Sequence, residues 1–119
     1  KESDKKFINH EYSDLIEELN LLTKDNGCFQ AFSYDQAIFY LLNKKSCSKF
    51  YNIWVIGSKK NQKIYIDELK FNNPKYILTE GPFKFYSPYK RYPHIKKFLD
   101  KEYSLYKSIH SWKILKKNS

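Results

Sequence analysis

With 119 residues, 41% of them hydrophobic and 18% aromatic, the chain has material for one core but not for two, and a single α/β domain over residues 1–119 is expected. A formal net charge of +9 from 22 Lys and Arg directs attention to polyanions. Arg91 is the single arginine, however, and three glycines are too few for a phosphate-cradling loop, so neither base-edge readout nor dinucleotide binding is expected.

The first element runs from about Ser13 to Lys24, where Leu15, Ile16, Leu19 and Leu22 recur at helical spacing behind a Ser13 cap, and Asn26-Gly27 stops it. Cys28 to Phe32 reads as a short strand. Ser33 and Gln36 then form a capping box for a helix carrying Ala37, Ile38, Leu41 and Leu42, which ends in the polar stretch Asn43 to Ser46. The apolar run Tyr51 to Ile56 has the character of a strand buried on both faces and stops at Gly57.

A third helix is expected from about Asn61 to Phe71, broken by Asn73-Pro74, and Tyr76 to Leu78 gives a further short strand. Pro93 opens a fourth helix with Ile95, Phe98, Leu99 and Tyr103 on one side. Alternation at Leu105, Lys107 and Ile109, then at Trp112, Ile114 and Lys116, predicts a terminal hairpin. The order implies a small three-layer sandwich with a mostly parallel, Rossmann-like sheet followed by that hairpin.

Little in the sequence is arranged for chemistry. His10, His94 and His110 are far apart and show no zinc spacing, so no metal or cofactor is expected. Asp67 with Glu68, and Asp100 with Glu102, sit amid lysines and read as solvated helix faces, and no catalytic residue is assigned. Asp35 and Glu80 stand at strand ends, where α/β folds gather their sites, though Asp35 also suits a first helical turn. Cys28 and Cys47 are placed where strands begin, which permits either a disulfide, and hence an oxidising compartment, or two buried thiols.

The densest feature is GPFKFYSPYKRYP, residues 81–93, which interleaves Tyr86, Tyr89 and Tyr92 with Lys84, Lys90 and Arg91. Such a segment suits lipid headgroups or stacked bases, or else folds its rings back over the core. With the Lys59-Lys60 turn and the start of the first helix it is expected at the carboxyl edge of the sheet, so Lys59, Lys60, Lys84, Tyr86, Tyr89, Lys90, Arg91 and Tyr92 are the membrane- or ligand-facing candidates.

Three stretches, CFQAFSYDQAIFYLLNKKSCSKFYNIW, QKIYIDELKFNNPKYILTEG and YPHIKKFLDKEYSLYKSIHSWKILKK, resemble in order the C-terminal extramembranous domain of polytopic bacterial glycosyltransferases. These use polyprenyl-phosphate sugar donors and are related to the dolichyl-phosphate-mannose protein mannosyltransferases. The resemblance implies a membrane portion ahead of Lys1 that holds donor and catalytic acid, and an accessory, non-catalytic role on the periplasmic side of the inner membrane. Its partners would be the membrane portion of the same polypeptide and anionic lipid headgroups or the lipid-linked sugar. The alternatives are a stand-alone basic module for nucleic acid or an acidic partner, and a small enzyme using Asp35 or Glu80.

Overall fold

The computed structural model describes residues 2–24, 28–32, 37–42, 44–50, 56–81 and 91–119. Their elements are α1 (Glu2–Thr23), β1 (Cys28–Phe32), α2 (Ala37–Leu42), β2 (Lys45–Ser46), α3 (Lys59–Asn72), β3 (Tyr76–Glu80), α4 (Pro93–Glu102), β4 (Tyr103–Ile109) and β5 (Trp112–Lys117). The five strands form one sheet in the order β2-β1-β3-β5-β4. It is mixed rather than mostly parallel: β1 pairs in parallel with β2 and β3, and β5 runs antiparallel to β3 and β4.

Alternation along β1 divides the core between the two faces of the sheet. Phe32 faces Tyr65 and Leu69 of α3 with Ile95, Phe98 and Leu99 of α4, joined by Ile77 and Leu115. Phe29 and Ala31 face Leu15 and Leu19 of α1 with Ile38 and Leu42 of α2, joined by Leu78, Trp112 and Ile114. Central strands buried on both sides need apolar residues at nearly every position, and Tyr76 to Thr79 are all buried.

Several boundaries differ from those expected. α1 starts at Glu2, so Ser13 is an exposed mid-helix residue and caps nothing. Tyr103 does not extend α4: it turns extended at φ −132°, opens β4, and donates its hydroxyl to the Pro74 carbonyl at 2.5 Å. Lys45-Ser46, read as the polar end of a helix, is the strand beside β1, which places Cys47 after a strand rather than before one. Of the expected strand Tyr51 to Ile56, residues 51–55 lie outside the described residues, and Ile56 is a buried non-strand residue. The Ser33–Gln36 capping box and the Asn26-Gly27 stop also lie outside them. α3 is capped by Ser58, whose side chain accepts from Asn61 N–H at 3.0 Å, and closes on Asn73 in the left-handed region at φ 48°.

Two tyrosines buried on the α3 side tie stability to high pH. Burial pushes the Tyr103 hydroxyl up to about 12, with Glu102 adding repulsion. Burial raises Tyr65 as well, against a lowering pull from the Gln30 amide. Both shifts favour the protonated form in the folded state. Their stabilisation is complete below the unfolded value of about 10 and is lost as pH climbs from about 10 towards 12. Urea denaturation midpoints are therefore expected to fall between pH 9 and pH 11 by more in the parent than in Tyr103→Phe, and equal falls would refute the assignment.

Candidate functional site: the carboxyl edge of the sheet

β1, β3 and β4 point the same way, so Phe32, Glu80 and the His110-Ser111 turn share one edge. The Gly81 N–H donates to the Ser111 carbonyl at 3.2 Å and closes that edge. Between β1 and β3 the chain leaves in opposite directions, β1 feeding α2 on one face and β3 feeding α4 on the other. This is a topological switch point, where open α/β sheets place ligands outside the strand ends. Thr79 is fully buried there and donates its hydroxyl to the Phe32 carbonyl at 3.1 Å. Glu80 and Gly81 follow with φ of 67° and 134°. A left-handed glutamate costs on the order of 1 kcal/mol and turns the chain sharply out of the sheet at the switch point.

α1 joins this edge through histidine. His110 Nε2 lies 2.9 Å from Asp14 Oδ2, His110 Nδ1 lies 4.0 Å from Glu11 Oε1, and the His10 and His110 rings are 6.2 Å apart. Two histidines separated by most of the sequence are thus neighbours. One turn of helix deeper, Lys107 reaches Glu18 at 3.1 Å. Because residues 10–14 lie level with the turn, the helix ahead of His10 projects about 12 Å beyond the sheet.

The same edge carries the N-termini of α3 and α4. Tyr92, expected to face outward, is fully buried, its ring 5.8 Å from that of Phe32. Gly57 lies close against it, since a Cβ there would stand 3.7 Å from Tyr92 Cε1. Tyr92 supplies no side-chain cap for α4. Gln62 of α3 does so instead: its Oε1 accepts from the His94 N–H at 3.1 Å, while its Nε2 donates to the Gly57 carbonyl at 2.9 Å. Lys59, Lys60 and Arg91 are exposed around this junction. Lys84, Tyr86, Tyr89 and Lys90 lie outside the described residues, as does Asp35.

At the opposite edge Cys28 and Cys47 are joined in a disulfide with a Cα–Cα separation of 5.0 Å. A polar network surrounds it. Gln30, wholly buried in β1, donates through Nε2 to the Tyr65 hydroxyl and accepts through Oε1 from Ser46 Oγ at 3.3 Å. Glu68, read as a solvated helix residue, accepts from Ser48 Oγ at 2.8 Å, and Asn72 Nδ2 donates to the Cys47 carbonyl at 2.6 Å. These contacts dock the segment after β2 onto α3.

Among the described residues no group of three or more His, Cys, Asp or Glu has the geometry of a metal site, and no helix is long and apolar enough to cross a membrane. Comparison with protein-family models, with curated proteins and with solved structures finds no match for this chain.

Proposed function

We propose that this domain is an accessory, non-catalytic module that rests its carboxyl edge against an anionic membrane surface, as the extramembranous part of a polytopic glycosyltransferase using lipid-linked sugar donors. In that role it would position acceptor or partner beside the membrane portion of the same polypeptide, on the periplasmic side. The observation that carries the reading is the convergence at one edge of exposed Lys59, Lys60 and Arg91 with the projecting start of α1. The disulfide fits an oxidising compartment. Helices on both faces of the sheet favour a Rossmann-like three-layer class, and that finer assignment belongs to the same proposal.

Each lysine or arginine near an anionic leaflet contributes about 1 kcal/mol, so three together are worth roughly a hundredfold in partitioning. Sedimentation with vesicles containing about 30% phosphatidylglycerol should show binding that weakens with salt and falls by at least about that factor in the Lys59→Glu, Lys60→Glu, Arg91→Glu variant. Binding unaltered by the triple change would overturn the membrane-facing edge. A reading frame without apolar spans upstream of Lys1 would overturn the transferase assignment.

A further inference from the structure

The outward side of α3 carries two unlike strips next to one another. Lys59, Lys63, Ile66 and Lys70 are spaced i, i+4, i+7 and i+11, one stripe of a helix, and with Asp67 and with His94 of α4 they line a groove of about 360 Å³. Ile66 is its partly buried apolar floor, and Lys70 Nζ stands 5.8 Å from the centre of the Phe98 ring at the far end. Roughly 100° around the helix, Phe71 and Ile64 bound a second depression of about 450 Å³ with Asp67, Glu68 and Asn72. Phe71 is 88% exposed, more than any other large hydrophobic residue described.

Ile66 packs on the core, and Glu68 and Asn72 hold the segment after β2, but the exposed Phe71 ring and the exposed Lys63 side chain have no such role inside the domain. The Lys63 to Asp67 pair, 3.4 Å apart with side chains 79% and 59% exposed, is too solvated to contribute measurably to stability. An aromatic ring in water beside a row of cations is the surface counterpart of an interface anchor with an electrostatic rim. A simple polyanion would use the lysines and leave Phe71 idle. A membrane would select the carboxyl edge, whereas Phe71 lies on the last turn of α3, at the other end.

We propose that this side of α3 is a docking ridge for an acidic amphipathic helix of another polypeptide, its apolar stripe laid over Phe71 and Ile64 and its carboxylates over Lys63 and Lys70. The distance from Lys59 to Lys70 along the axis is about 16 Å, so about three turns of partner helix suffice. Lys59 belongs to both surfaces, but the docking test is separable from the membrane reading because Phe71, Lys63 and Lys70 are not edge residues.

Fluorescence anisotropy with the intact chain tests it. The probe is a fluorescein-labelled helical peptide of about 15 residues, with leucine at every third or fourth position and glutamate on the adjoining face. Control probes are the same peptide with leucines replaced by serine, a single-stranded oligonucleotide, and the vesicles above. The leucine-glutamate peptide should bind, with at least about tenfold loss in Phe71→Ser and in Lys63→Glu, Lys70→Glu. Both variants should keep the parent's circular dichroism and vesicle binding. Equal binding of the serine peptide, indifference to Phe71→Ser, or a loss in the lysine variant seen only with oligonucleotide or vesicles would each overturn the proposal.

Discussion

Removing the Cys28–Cys47 bridge, by reductant or by paired alanine substitution, is expected to lower the thermal midpoint by about 10 °C. The bridge closes a stretch with a sequence separation of 19 residues. Denying the unfolded chain that closure is worth roughly 3 kcal/mol, and a domain of this size loses a few degrees per kcal/mol. The loss should be local first. β2 is two residues long and holds β1 by only two register pairs. With the sulfurs apart the segment rests on those two pairs, the Cys47 N–H to Phe29 carbonyl bond and the side-chain contacts from Gln30, Glu68 and Asn72. Amide exchange in 44–50 should therefore accelerate before that of β3 or β5. A midpoint within about 2 °C of the oxidised protein would show that α3 alone fixes this segment.

The second large effect concerns Gln30 and Tyr65, a polar pair buried between β1 and α3. Gln30→Ala opens a cavity and strips the buried Tyr65 hydroxyl of a donor, so a loss of about 3 kcal/mol is expected. Tyr65→Phe removes one oxygen and leaves the Gln30 amide with the Ala31 carbonyl at 3.2 Å and with Ser46, so about 1 to 2 kcal/mol should go. Replacing both with apolar side chains, Gln30→Ala with Tyr65→Phe, leaves neither member of the pair with an unpaired polar atom and should cost less than the two single losses combined. Urea denaturation of the four proteins in that cycle gives the coupling, expected at about 1 to 2 kcal/mol, and strict additivity would mean that the pair does not act as a unit.

Much of this architecture is legible in the sequence where side-chain period and backbone chemistry agree. Pro93 at the first turn of α4 and the alternation through Trp112 and Ile114 each have a single geometric reading, and both elements stand where expected. The first half of α1 is different, because Glu2 to Glu11 has no leucine stripe and its helical state follows no apolar period. β2 is invisible for another reason: two consecutive polar residues carry no apolar pattern at all. Tyr92 looked like its neighbours in an aromatic loop, and its burial is decided by Phe32 and Gly57, which are distant in sequence. Gln30 could have been singled out. A glutamine inside CFQAF, on a strand covered on both faces, must find partners, and those partners mark where another element docks. Gln62 lies on the buried stripe of α3 with Tyr65 and Leu69, at i, i+3 and i+7, but only the position of α4 reveals its capping role.

Strand order also has a consequence for biosynthesis. β5 is the last of the five to leave the ribosome, yet it is threaded between β3 and β4, and no neighbour-to-neighbour ladder spans the sheet without it. Until residues 112–117 emerge, the nascent chain presents β3 with an open backbone edge and β4 with nothing to pair against. Co-translational folding can settle the β1–β3 half early, while closure waits for the final hairpin, and a stalled product ending before Trp112 would expose the buried β3 edge to other chains.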